Sequence, residues 1–511
     1  MNKSVFLIGA VLAVSGLAGC SPSQTADASP LDFNGDKFEV RILKMPSGDE
    51  VGYTAYEGIY YVTNVEDSTY QTLNIYVPTD FKGRTDSEIP ILLRQYVGGY
   101  MASTAKSPSA TDATGRALQE GYIVCIPGAR GSNSVVERDG KRVYTGMAPN
   151  GLLDLKAAVR YLRYNDPRIP GNSERIFIDG TSAGGAMAAL VGATGNRADY
   201  EPDLEAMGAA KAKDNVYGAI CYCPITDLNH ADMEYEWLYR CTNTKARHLD
   251  TMQCRISDEL AALAPAYINS LRLKDEKGNL LTADNYRDYL KSFLVASAHK
   301  ALEEGVEIPD SIGIIRYSET PDFGDGRQAP SFGPAATAQG EKGARRPPMF
   351  NRQTDFVKDI DLDKYLNYVA TIQPLKTPPA FDQMGVIIPA PSPENKVFAD
   401  SEGTPNNFTD FSYRHREHNP KDTLPAELAH RVYLMNPMYF IGDTLTADNA
   451  PKWYIRHGAK DRDTSFLVPI NLATKLKNAG YDVNFFLPWN RPHSGDYNLD
   501  DLFNWIAEAM K

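Results

Sequence analysis

Cysteine, tryptophan and histidine are scarce in this chain: six, four and eight among 511 residues. The cysteines show no C-x-x-C pair and no His-rich ligand spacing, so a resident metal or zinc framework has no support. Basic charge is in deficit, with 53 Lys and Arg against 65 Asp and Glu and a net charge of −12. That balance argues against nucleic acid as a partner. No internal stretch is apolar enough to span a bilayer, and no internal repeat stands out. What is present is ordinary for a folded protein: 42% hydrophobic and 23% charged residues. The length is ample for a large core and more than one folding unit.

The first 30 residues read as targeting rather than fold. Lys3 gives a positive start, and Val5 to Gly16 is an apolar run shorter than a membrane span. Leu17-Ala18-Gly19-Cys20 follows and resembles a bacterial lipobox. The expectation is a lipoprotein signal over 1–19, acylation of Cys20 and a polar tether over 20–30. The resemblance implies an exported, membrane-anchored lipoprotein on the cell surface, outer membrane or periplasmic face. In such a compartment disulfides can form. Cys241 and Cys254 lie in a polar segment and could pair, whereas Cys125, Cys221 and Cys223 sit in or beside apolar strands and read as buried thiols.

Beyond the tether the pattern alternates strands and helices, which indicates an α/β fold with a largely parallel sheet. Phe38 to Ile42 and Thr72 to Val77 read as early antiparallel strands. Ile89 to Tyr96, Tyr122 to Ile126, Ile176 to Ile178 and Tyr217 to Cys223 read as buried strands, and Leu152 to Tyr164 has helical spacing. After Pro224 charge, loops and helix fragments take over. Thr320 to Pro348 is rich in Gly, Pro and charge and reads as a mobile loop. Strand and helix order resumes with Trp453 to Arg456, Leu467 to Asn478, Val483 to Leu487 and Leu499 to Met510. The expected organisation is one α/β domain built from 31–225 and 447–511. The insertion at 226–446 would lie over the carboxyl ends of the strands as a lid.

Gly180-Thr-Ser182-Ala-Gly184 makes the expected fold of 31–225 and 447–511 that of an α/β-hydrolase. It follows an apolar strand and opens a small-residue helix, as the G-x-S-x-G nucleophile elbow does. A serine on so sharp a turn needs tiny neighbours two residues before and after it. Its Oγ then stands at a helix N-terminus, where backbone N–H groups can meet a developing oxyanion. The base and acid should follow in chain order. His493, on the loop after the last strand, is the candidate base; His457, ending the preceding strand, reads as a packed residue. Asp461 and Asp463 share the loop after the Trp453 strand, and spacing alone does not choose between them. Ala183, with Gly98 or Gly99 after the Ile89 strand, is the candidate oxyanion hole. These residues point to a serine ester or amide hydrolase that needs no cofactor.

Several separated stretches resemble bacterial tannases, the tannin acyl hydrolases of the α/β-hydrolase fold. They are Tyr96-Val-Gly-Gly-Tyr-Met101, Pro127-Gly-Ala-Arg-Gly131, Gly180-Thr-Ser-Ala-Gly-Gly185 and Cys223-Pro-Ile-Thr-Asp-Leu228. The narrower matches are Arg456-His-Gly-Ala-Lys-Asp-Arg-Asp-Thr-Ser465, Leu487-Pro-Trp489, His493-Ser-Gly-Asp-Tyr497, Lys376-Thr-Pro-Pro-Ala-Phe-Asp382 and Ser392-Pro-Glu-Asn395. The resemblance implies Asp461 as the acid of a triad with Ser182 and His493. It also implies Asp463, Lys376 and Glu394 as ligands of a galloyl group, and small polyphenol esters as substrates. One ammonium and two carboxylates can donate to and accept from three adjacent phenolic hydroxyls. The Val386-to-Pro391 stretch between Lys376 and Glu394 is longer than the family's usual connection. The paired cysteines beside Ser and His in fungal tannases and feruloyl esterases are absent, with Thr181 and Pro492 in their places. The competing readings are a broader aryl or hydroxycinnamoyl esterase, a serine peptidase of the same fold, and a non-catalytic polyphenol-binding surface lipoprotein.

Overall fold

The computed structural model describes residues 29–316, 357–385, 390–442 and 447–511. The leader with Cys20 and the Thr320-to-Pro348 stretch lie outside the described residues. A nine-stranded sheet forms the frame. In spatial order its strands are Glu39–Lys44, Glu50–Tyr60, Thr72–Pro78, Ile123–Pro127, Ile91–Arg94, Ile176–Thr181, Gly218–Tyr222, Lys452–Arg456 and Asp482–Phe486. The first three are antiparallel to their neighbours and the remaining six run parallel. The order reverses at Ile91–Arg94, which pairs with Ile123–Pro127 on one side and Ile176–Thr181 on the other. Ligands in open α/β sheets bind beyond the carboxyl ends of strands near such a reversal.

The central strands are buried on both faces, as their continuous apolar runs require. Helices Ala113–Gln119 and Leu499–Ala509 cover one face through Leu118, Leu502, Phe503 and Ile506, which pack on Val124, Phe177 and Ile220. Helices Asn150–Tyr164 and Ala183–Ala193 cover the other, and all eleven residues of the second are buried. This is the α/β-hydrolase fold. Strand Glu50–Tyr60 and helix Ala113–Gln119 are additions to the expected elements.

Among the described residues, the stretch between Pro224 and the Lys452 strand is mainly helical, with long helices at Leu228–Tyr239, Thr251–Leu271 and Ala283–Glu303. One small cluster, Ile256, Leu260, Ala380, Phe381 and Met384, is its own. Leu238, Leu290, Leu294 and Tyr365 pack with Phe466, Ile470 and Leu487 from the C-terminal part, while Phe398, Leu434 and Phe440 join the core beneath the sheet. Cys241 and Cys254, which the sequence left free to pair, do not. Both thiols are free, and each donates to a nearby backbone carbonyl, of Leu238 and of Leu249.

Candidate active site

Ser182 sits between the Ile176–Thr181 strand and the Ala183–Ala193 helix with φ +64° and ψ −127°. Side chains seldom adopt this backbone, and such strain concentrates at functional turns. The flanking glycines are steric necessities. A Cβ on Gly180 would lie 1.9 Å from Gln95 Nε2 and 2.4 Å from the Gly184 carbonyl; one on Gly184 would lie 2.7 Å from the Val97 carbonyl. Gln95 explains this crowding. Its Nε2 donates to the Gly184 carbonyl (2.5 Å) and its Oε1 accepts from the Val97 N–H (2.9 Å). One amide therefore clamps the elbow helix to the loop carrying Gly98 and Gly99. A Cβ on Gly98 would meet nothing within 4 Å, whereas one on Gly99 would touch Pro393 at 3.7 Å. The Gly98-Gly99 turn thus packs at one end on Pro393, beside Glu394, and opens at the other.

His493 and Asp461 converge on Ser182 from the two C-terminal loops. Ser182 Oγ lies 2.7 Å from His493 Nε2, and His493 Nδ1 lies 2.7 Å from Asp461 Oδ2. The loops interlock: a Cβ on Gly458 would strike the Arg491 carbonyl at 2.2 Å, and one on Gly495 would strike Thr181 Oγ1 at 2.0 Å. Asp461 is fully buried, and burial opposes its ionisation. The imidazoles of His457 and His493 and the backbone N–H of Asp463 outweigh that and hold its pKa well below the usual range. Burial likewise opposes charge on His493, yet the Asp461 carboxylate raises its pKa above the ordinary value. His457 is packed, as expected, edge-on against Phe466; burial pushes its pKa down to about 4.

Beside the triad lies a cavity lined by Ile225, Asp232, Tyr235, Lys376, Glu394 and Asp463 among others. Ile225 links it to the nucleophile, since its N–H lies 3.4 Å from the Ser182 carbonyl. Asp463 Oδ2 is 4.0 Å from His493 Nδ1. Lys376 donates to Glu394 Oε1, and this pairing, set against a burial penalty, raises the lysine's pKa. The other Glu394 oxygen, Oε2, is buried and accepts no hydrogen bond among the described residues. A buried carboxylate oxygen without a donor is costly, so this atom is a natural acceptor for a ligand hydroxyl.

The sequence reading overlooked the residues that hold these groups in place. Asp382 Oδ2 accepts from the Ser392 N–H (2.8 Å) and from Asn395 Nδ2 (2.5 Å), tying the Lys376 segment to the Glu394 turn. It brings Glu394 into the cavity despite the long connection, of which 386–389 lie outside the described residues. Arg94 bridges Asp179 of the elbow strand and Asp496 of the base loop, both at 2.6 Å. Asp382 ends the Lys376-to-Asp382 stretch and Asp496 lies within His493-to-Tyr497, which was their only signal; Gln95 and Arg94 had none. Asp232, also in the cavity wall, has its pKa pushed up to about 8 by burial and by neighbouring Glu394.

Fold and site together define a carboxylic ester hydrolase of the α/β-hydrolase class. A family model described as BD-FAE matches residues 73–270. A curated relative, Esterase LipC of Mycobacterium tuberculosis, is 30% identical over 105 residues, which are 20% of this chain and only 23% of that protein. Solved structures match far more of the chain. Fusobacterium nucleatum tannase is 34% identical, covering 94% of this chain and 99% of that one, with a TM-score of 0.78. The tannin acyl hydrolase from Lactobacillus plantarum is 33% identical with the same coverage and a TM-score of 0.78. A tannin acyl hydrolase solved in complex with ethyl gallate is 34% identical, again over 94% and 99% of the two chains, with a TM-score of 0.78. The chain belongs to the tannase family.

Proposed function

We propose that the protein hydrolyses galloyl esters through an acyl-enzyme formed on Ser182. His493 Nε2 takes the Ser182 proton as Oγ attacks the ester carbonyl, then delivers it to the departing alcohol. Asp461 holds the Nδ1–H tautomer and stabilises the imidazolium. The oxyanion falls to the N–H of Ala183, at the start of the elbow helix, and to an N–H of the Gly98-Gly99 turn. Water, activated by the same histidine, releases gallate.

The observation that carries this reading is the gathering of Lys376, Glu394 and Asp463 in one cavity beside Ser182. Lys376 can donate to one ring hydroxyl, while Glu394 Oε2 and Asp463 accept from the others. The relative solved with ethyl gallate supports the same ligand class. A panel of methyl esters tests it. Methyl gallate should be turned over fastest, with loss at each hydroxyl removed; a pocket built around those groups discriminates by up to roughly 10⁴–10⁵. Faster turnover of methyl ferulate would replace the reading with a hydroxycinnamoyl esterase. The 226–446 insertion acts in this scheme as the lid that brings two of the three ligands. We also propose that Cys20 carries a lipid anchor; fatty-acid labelling lost in Cys20→Ala tests this.

A further inference from the structure

We infer that a thiophilic divalent cation of the zinc class binds across Cys223 Sγ, the Asp461 carboxylate and His493 Nδ1, and that its binding switches the esterase off. Cys223 Sγ, a carboxylate oxygen of Asp461 and a ring nitrogen of His493 lie within 4.8 Å of one another, and Nδ1 is the nitrogen that faces Asp461 Oδ2, at 2.7 Å. They come from three separate loops, so no ligand spacing in the sequence announces them. Cys223 ends the Gly218–Tyr222 strand with φ +44°, a backbone that side chains seldom adopt. Its N–H donates to the Arg456 carbonyl (2.6 Å), and its thiol points to the Ser494 carbonyl (3.3 Å), next to His493. The thiol takes no part in the triad chemistry. A fourth oxygen stands nearby: Asp463 Oδ2 is 4.0 Å from the same His493 Nδ1. Its side chain is 27% exposed, whereas that of Asp461 is fully buried, so it marks the side from which an ion enters.

Thiolate, imidazole and carboxylate form a zinc donor set, and the sulfur favours ions that bind thiolates over magnesium or calcium. Zinc bonds are about 2.3 Å to sulfur and about 2.0 Å to nitrogen or oxygen, so the thiol must draw in by roughly an ångström, while His493 Nδ1 and Asp461 Oδ2, now 2.7 Å apart, must open to admit the ion. The proton balance explains the inhibition. The Cys223 proton leaves to solvent as the sulfur binds. The neutral imidazole keeps its single proton, but with Nδ1 bound to metal that proton sits on Nε2. Nε2 then has no lone pair with which to accept the Ser182 proton. Coordination replaces the hydrogen bond that orients the base and reverses the tautomer in one event.

The switch rests on the triad assignment above, while the binding site does not, and two measurements separate them. Methyl gallate hydrolysis is followed at free Zn²⁺ held by a metal buffer, so that chelation by substrate is immaterial. Cd²⁺ binding is read without substrate by the thiolate-to-metal charge-transfer band. The wild type should lose activity with Zn²⁺, recover it with chelator, and show a band of one thiolate per chain. Cys223→Ala should stay active without metal, lose the band and need at least about tenfold more Zn²⁺ for the same inhibition. Cys223→Ser, a poorer ligand of nearly equal size, should behave alike and serves if the alanine variant does not fold. Equal inhibition of the variants, a band that survives in them, or an uninhibited wild type overturns the inference. A metal-free wild type inert toward methyl gallate instead refutes the esterase reading and leaves the band to decide the site.

Discussion

Asp461 and Asp463 stand two positions apart and meet different partners. Asp461 is sealed between two imidazoles, whereas Asp463 borders the cavity that holds Lys376 and Glu394. Asp461→Asn should lower kcat by about 10⁴, because an amide no longer holds the required tautomer. Asp463→Asn should spare the turnover of esters without ring hydroxyls and raise KM for methyl gallate. Steady-state kinetics of both variants on both esters checks this, and the opposite pattern exchanges the roles. The pH profile is a second test at the same residue. His493 must be neutral to accept a proton, so kcat/KM falls as pH drops through its pKa. Asp461 raises that pKa, which places the acidic limb above the ordinary imidazole value of about 6.5. Removing the anion in Asp461→Asn moves the limb of the residual activity to lower pH. A limb that stays in place belongs to another group.

Elements act here through a few clamps. Asp382 joins the Lys376 segment to the Glu394 turn through two hydrogen bonds. Losing them costs about 1–3 kcal/mol if the freed groups stay buried. Asp382→Ala should therefore raise KM for methyl gallate by about tenfold and leave the slow turnover of hydroxyl-free esters unchanged; a proportional fall on both substrates would mean wider damage. Gly184→Ala places a Cβ 2.7 Å from both Gln95 Nε2 and the Val97 carbonyl. Overpacking of this kind costs typically 1–3 kcal/mol, read as a lowered Tm with activity falling alongside. The elbow was legible because its glycines serve a local steric purpose. The C-terminal strands and helices were legible because their apolar residues keep the period of their element, and Leu467–Asn478 has the expected bounds. Strand Glu50–Tyr60 was not, because it lies towards the edge of the sheet and only two of its eleven residues are buried. Gln95 and Arg94 gain their meaning from partners far along the chain, as Arg94 does from Asp179 and Asp496, and no local pattern marks them.

On the scale of the whole molecule, the insertion shares its two larger cores with the rest of the chain, so residues of the cavity wall are also residues of the fold. Their buried charges set how stability depends on pH, and the signs differ. Asp461 and Asp214 are held below the ordinary carboxylate value in spite of their burial, Asp214 by Lys156 and Arg160. Their contribution is present above about pH 4 and is lost as pH falls further. His457, lowered to about 4 by burial, adds to the acid loss, since the unfolded chain protonates first between about 6.5 and that value. Asp232 acts in the opposite sense. Burial raises its pKa to about 8, so between its unfolded value of about 3.9 and that pH the folded state binds the extra proton. Stability then declines as pH rises through this window. Thermal unfolding followed across pH should therefore show Tm highest in mildly acidic buffer and falling towards about pH 8. Asp232→Asn keeps an acceptor for the Ala380 N–H, which Asp232 Oδ2 now meets at 2.8 Å, and removes the titration. It should flatten the alkaline decline and leave the acid limb where it is. An unchanged alkaline slope in that variant would move the cause to another of the buried carboxyls.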